Sequence, residues 1–256
     1  MQRRNWTRDE LILAFNLYLK LSFGQMHHRN PDIQHLAKLI GRNANAVAMR
    51  LSNFASVDPY HQQRGIKGLE GGKKQVQPIW DEFVKNREEL IYESEKIRAK
   101  FEKKPLSEIV DLRDIEIQEG KEVERLVKTR VNQNVFRDII LATYNNKCCI
   151  TGIATTSLLV ASHILPWAKD KGNRLNPSNG LCLNALHDRA FDNYLITISP
   201  KYKVQISKRL AAQKENKAVV DNFLIYDGAE IALPERYMPE PKFLKQHNTL
   251  FAERNK

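Results

Sequence analysis

Three polar side chains interrupt an otherwise apolar stretch: His163 closing LLVASH, Asn179 in NPSNGLCL, and His187 in NALHDRAFD. A neutral imidazole takes a proton from water near neutral pH, because its unperturbed pKa lies there. A second imidazole can hold a divalent cation, which polarises a phosphate oxygen and steadies a leaving alkoxide. An asparagine amide does not titrate, so Asn179 reads as a brace that ties the loop and fixes the first histidine. One base, one metal ligand and one brace are sufficient equipment for phosphodiester hydrolysis. Each residue alone has a plainer reading: histidine after a strand is commonly a packed or surface residue, and Asn-Gly commonly a turn. Their order and setting are what point to chemistry.

The elements that must position them are readable in the same stretch. Ser157 to Ser162 is short, apolar and bounded by polar residues, which suits a buried strand. Gly172, Pro177 and Gly180 punctuate a loop. Asn184 stands where it caps a helix running to Phe191. A strand ending in histidine, a loop ending in Asn-Gly and a helix with a second histidine form a ββα unit. Such a unit points two imidazoles at one small volume. Leu186 and Phe191 are assigned to the core, and Trp167 to loop packing rather than base stacking. Upstream, Val123 to Asn146 reads as a helix with Phe136, Ile139, Ile140 and Tyr144 inward. Its Arg130, Gln133 and Arg137 are left to meet a phosphate backbone. Downstream, LITIS and YKVQIS read as a β-hairpin. Pro234, Pro239 and Pro241 then precede a short amphipathic helix with Leu244, Leu250 and Phe251.

Within SHILPW, NPSNGLCL and LHDRAFD, the three residues resemble the His-Asn-His motif of HNH nucleases, ββα-metal enzymes that cut nucleic acid. The segment Arg130 to Gly152 resembles the lead-in helix of HNH domains in restriction-type endonucleases, and the likeness covers most of Arg130 to Ser207. The resemblance implies that His163 is the general base, that Asn179 orients the loop and that His187 is a metal ligand. It further implies DNA as substrate, magnesium or manganese as cofactor, and 5′-phosphate and 3′-hydroxyl ends. The chain departs from the family in two places. Many members carry Asp directly before the catalytic histidine as a second metal ligand; here Ser162 stands there, a poor ligand for a hard cation. The implied metal set centres on His187, with Ser162 in the place of the acid: the ion rests on His187 with waters, or recruits Asp188 or Asp192; Asp192 equally suits a cap of the next turn or a histidine brace. Many members also hold zinc through paired Cys-x-x-Cys motifs. Cys148, Cys149 and Cys182 lack that spacing, so no structural zinc is expected.

Composition sets the context. A chain of 256 residues suffices for two small domains with their own cores. At 42% hydrophobic and 28% charged residues it reads as globular and soluble. No apolar run approaches the roughly 20 residues of a membrane span. The start, MQRRNWTRDE, lacks the apolar centre of a secretory signal, and three cysteines, two adjacent, fit a reducing cytoplasm. A net charge of +11 calls for a polyanionic partner, with binding that weakens steeply in salt.

From Trp6 to about Val57 the pattern is three helices. Thr7 with Glu10 forms a capping box, and Asn30 with Pro31 opens the second helix. The third runs through NAVAMRLSNF, leaving Arg42, Asn43, Asn45 and Arg50 for its start and outer surface. Arginine and asparagine pair bidentately with guanine and adenine, which is the logic of a helix-turn-helix reader. The segment looks somewhat like a Myb-type or winged-helix module; small three-helix units also dock proteins. The basic, glycine-rich arm from Asp58 to Lys74 suits either a phosphate-touching loop or a flexible connector. Pro78 to Lys104 reads as one more helix.

The expected architecture is α+β: a helical, helix-turn-helix-like DNA-binding module over 1–104, a linker at 105–121, and an HNH nuclease domain with a C-terminal extension over 122–256. The expected function is metal-dependent DNA cleavage in restriction or defence. The alternatives are a non-catalytic DNA-binding regulator on a degenerate nuclease fold, or an RNA-directed or toxin nuclease. Double-strand cleavage uses two active sites, which leaves room for a homodimer.

Overall fold

The computed structural model describes residues 4–109, 121–166 and 173–256. Most of the expected linker, together with Trp167 and Gly172, lies outside the described residues. The chain divides into two compact units, Met1–Val135 and Phe136–Lys256, and the division falls within a helix.

The described residues of the first unit are helical: α1 (Arg8–Lys20), α2 (Pro31–Leu39), α3 (Ala44–Val57), α4 (Pro59–Gln63), α5 (Lys73–Phe83), α6 (Arg87–Glu102), α7 (Leu106–Ile109) and the first part of α8 (Lys121–Thr143). The starts follow from capping chemistry. Thr7 accepts from the Glu10 amide while the Glu10 carboxylate accepts from Thr7 N at 3.0 Å. Asn30 accepts from the Asp32 and Ile33 amides ahead of Pro31, and Asn43 from Asn45 N at 2.7 Å. Phe15 stacks on Phe54 at 4.7 Å and leans on Trp80 at 5.2 Å, joining α1, α3 and α5 in one aromatic core.

Two expectations change here. The helix read over 78–104 is two helices, α5 and α6. They are separated where Asn86 takes a non-helical backbone (φ −128°, ψ 60°), and Pro78 sits inside α5. The start of the basic arm is structural: Asp58 caps α4 and also accepts from the Tyr18 hydroxyl at 2.5 Å.

In the second unit, the rest of α8 leads to β1 (Leu159–His163), β2 (Gly180–Asn184), α9 (Ala185–Asp192), β3 (Ile196–Ile198), β4 (Val204–Ile206), α10 (Lys208–Ala211), α11 (Lys217–Asn222) and α12 (Pro241–Arg254). β1 and β2 are antiparallel, with Leu159 opposite Asn184 and His163 opposite Gly180. β3 and β4 form the second antiparallel pair, Ile196 opposite Ile206. Phe191 is fully buried, but Leu186, assigned to the core, is 49% exposed. His187, Ala190 and Phe191 take the inward face of α9, and Leu186 falls on the opposite side. The mixed helical and two-sheet architecture is α+β. Among the described residues no helix is long and apolar enough to cross a membrane.

Candidate active site

His163 is the last residue of β1 and pairs with Gly180, the first of β2. Gly180 is extended (φ −130°, ψ 147°), so its role is proximity rather than a turn. A Cβ there would run into the Ile140 side chain and stand 2.8 Å from Phe136 Cζ. The missing side chain lets α8 lie directly under the strands. Phe136 then stacks on the His163 imidazole, centroids 4.0 Å apart and planes within 11°.

The His163 ring is also oriented from Nε2, which lies 2.9 Å from the Arg174 carbonyl. A carbonyl only accepts, so Nε2 carries the proton and the lone pair of the neutral ring is on Nδ1. Burial pushes the His163 pKa below its ordinary value, against a smaller opposing pull from the Arg174 carbonyl. At neutral pH the ring is therefore in the proton-accepting form.

Asn179 is 1% exposed and works as a two-sided clamp. Its Oδ1 accepts from Leu165 N at 2.8 Å, and its Nδ2 donates to the Leu165 and Asn173 carbonyls at 3.2 and 3.3 Å. Its own carbonyl accepts from Ile164 N at 2.9 Å. The two residues after His163 are thus tied to the residue before Gly180, and the end of β1 is held from both sides.

His187 occupies a different environment. Its Nδ1 accepts from Asn184 Nδ2 at 2.8 Å, and Asn184 Oδ1 caps α9 by accepting from His187 N at 2.9 Å. The ring lies against Phe223 and Tyr226, 2% exposed, with Nε2 buried beside the Asn222 backbone but without a hydrogen bond of proper geometry. Burial lowers its pKa. His163 thus stacks on Phe136 of α8, whereas the ring of His187 lies against the residues that follow α11. The Asn184 cap engages both the amide and the ring of His187.

The α9 side chain near Ser162 is instead the next one along, Asp188. Ser162 Oγ is buried without a hydrogen bond of proper geometry, yet it lies close enough to Asp188 to draw that carboxyl's pKa down. Burial wins, and the Asp188 pKa is raised. Asp192, one turn on, is raised too, by burial and then by the charge of Asp188. Two carboxyls and a hydroxyl make an oxygen set whose mutual repulsion a hard cation would relieve, so Asp188, Asp192 and Ser162 fit magnesium or manganese. Among the described residues, no three of His, Cys, Asp and Glu group as a ready-made metal cage. Magnesium does not need one, since it keeps waters and takes one or two carboxylates plus substrate oxygens.

The remaining candidates are placed as follows. Arg137 donates to the Leu159 and Thr156 carbonyls at 2.5 and 3.1 Å, pinning the start of β1. Arg130 is half-buried on α8. In the first unit, Arg42 is drawn inward by Glu10 at 2.7 Å and lies over Trp6 at 4.2 Å. Arg50 lies over the same ring at 4.8 Å and is 8% exposed. Both guanidinium groups were expected on the outer surface; a buried carboxylate and an indole from the chain's start hold them in. Asn43 is the α3 cap, and Asn45 is exposed beside it. Cys148, Cys149 and Cys182 are free and buried, and burial pushes the Cys182 thiol up to about 12. Two contributors were not legible beforehand. Phe136 was read only as core, and no sequence signal marks the Arg174 carbonyl as the anchor of the His163 ring.

A protein-family model described as HNH endonuclease matches residues 148–199, the stretch that contains β1, β2 and α9 with His163, Asn179 and His187. Among curated proteins, none matches this chain.

Proposed function

We propose that this chain is a divalent-metal-dependent endonuclease that hydrolyses DNA phosphodiester bonds, of the restriction or defence kind. The HNH endonuclease match supports nuclease chemistry in residues 148–199, and the net charge of +11 supports a nucleic-acid substrate.

His163 takes the proton of the attacking water on Nδ1. The Arg174 carbonyl holds the Nε2 proton and accepts the stronger hydrogen bond of the imidazolium that results. Phe136 fixes the plane of the ring, and Asn179 fixes the backbone that follows it. Asp188, with Ser162 and Asp192, would hold the cation, which when bound would supply charge neutralisation for the scissile phosphate and the leaving oxygen. His187 locks α9 to its cap, so that Asp188 faces β1.

The observation that carries this reading is the anchored Nε2 of His163, which directs a neutral Nδ1 as base. Supercoiled plasmid incubated with the full chain tests it. Cleavage in magnesium or manganese and none in EDTA is expected. Intact plasmid in either metal, with DNA still bound, would move the chain to a non-catalytic regulator, and preferential cleavage of RNA would move it to the RNA-directed class.

A further inference from the structure

Three arginines of the second unit are spent on the fold. Arg137 donates to the Leu159 and Thr156 carbonyls, Arg254 lies over the Tyr194 ring at 4.3 Å, and Arg236 over the Tyr237 ring at 4.5 Å. Arg189 on α9 is different. It is exposed, and among the described residues no hydrogen bond or ion pair engages its guanidinium.

Helix spacing puts this guanidinium beside both carboxyls of the candidate cation site. Asp188 precedes it, and Asp192 lies three residues on, a neighbour on the helix surface. The positive charge of Arg189 pulls the pKa of each carboxyl down, against the larger upward push of burial. Its charge is therefore felt at both carboxyls while its donors bond to neither. Leu186, Asp192 and Asn193 beside it are exposed as well, whereas His187, Ala190 and Phe191 face the core. On that open face the donors of the guanidinium remain available to a ligand.

A ligand of opposite charge is what the site calls for. Asp188 and Asp192 stand four residues apart, a spacing at which like charges repel. When both are ionised they cancel the charge of a divalent cation, and the Ser162 hydroxyl adds none. The filled site is then neutral overall and has no net attraction for a phosphodiester; Arg189 makes it positive. We propose that Arg189 binds the non-bridging oxygens of the scissile phosphate and supplies that positive charge. Its planar fork matches two phosphate oxygens at once. That role rests on the nuclease reading above and adds a residue to the same site.

Equilibrium binding of duplex DNA tests it, with magnesium present and His163→Ala in every chain so that the DNA stays intact. One duplex carries a normal linkage at the step that the wild-type chain cuts, and a second carries an uncharged methylphosphonate there. Arg189→Gln should weaken binding of the normal duplex about three- to tenfold and lower the slope of log affinity against log salt by about one. On the methylphosphonate duplex the same substitution should change little. Arg189→Lys, which keeps the charge without the fork, should recover part of the loss. Because Arg189 is exposed, each variant should keep the circular dichroism of its parent. Arg189→Gln that binds the normal duplex as its parent does, or that loses equally on both duplexes, overturns the role. If the wild-type chain cuts DNA in either case, the nuclease reading survives; if it cuts none in magnesium or manganese, both fall.

Discussion

Replacing Asn179 by alanine removes the clamp at the end of β1, and its cost can be worked from the contacts. Leu165 N loses an acceptor at 2.8 Å in a buried setting, which costs about 1–3 kcal/mol. The Leu165 and Asn173 carbonyls lose donors at the longer distances of 3.2 and 3.3 Å, adding on the order of 0.5 kcal/mol each. A loss of about 2–4 kcal/mol follows, a large fraction of a domain's stability. Because the chain has two compact units, hydrogen exchange read by mass spectrometry is the suitable assay: protection should fall in peptides covering β1 and residues 164–165 while the first unit is unchanged. Asn179→Asp sharpens the test. It keeps an acceptor for Leu165 N but turns a carboxylate oxygen toward two carbonyls, so burial and repulsion raise the introduced carboxyl's pKa. The folded variant then binds more protons than the unfolded one, and its stability relative to wild type should rise as pH falls. Unchanged protection in Asn179→Ala, or a pH trend of the opposite sign in Asn179→Asp, would refute the clamp.

Three further outcomes follow from the same geometry. Asp188→Asn should raise the magnesium midpoint for cleavage by on the order of tenfold or more, whereas His187→Ala should leave that midpoint near wild type and lower thermal stability; the reverse pattern would return the metal to His187. With metal saturating, the acid limb of the cleavage rate should have its midpoint below the ordinary histidine value of 6.5, because burial lowers the His163 pKa; a midpoint above 6.5 contradicts the buried base. His247 is stacked on Phe191, donates from Nε2 to the Phe191 carbonyl and accepts the Thr197 hydroxyl, and burial lowers its pKa to about 4. The unfolded chain takes a proton there that the folded chain refuses, so stability present above pH 6.5 should be lost as pH falls toward 4, by about 3 kcal/mol. His247→Gln should flatten that slope in urea titrations of the second unit.

Local signals were legible in the sequence where the chemistry is local. The Thr7–Glu10 box, the Asn30–Pro31 start and the Asn184 cap act within four residues, and all three form as read. The strand, loop and helix around His163, Asn179 and His187 were likewise carried by short-range pattern. What failed to show was direction. Adjacent residues on a helix diverge by about 100°, so a one-position choice between His187 and Asp188 depends on which one Asn184 engages. Arg42 and Arg50 read as surface charges because their partners, Glu10 and Trp6, come from more than 30 residues away. Arg137, expected at a phosphate, instead meets backbone carbonyls that only the folded β1 brings near. The role of His247 has no local signal, because its partners Phe191 and Thr197 are about 50 positions upstream.

The central claim is that His163 is the proton acceptor for phosphodiester hydrolysis at the end of β1. Single-turnover cleavage of a radiolabelled duplex by the His163→Ala chain, with magnesium and manganese each at saturation, tests it most directly. The account predicts duplex bound at near wild-type affinity and a cleavage rate down by about 10²-fold or more. Cleavage at the wild-type rate would contradict it.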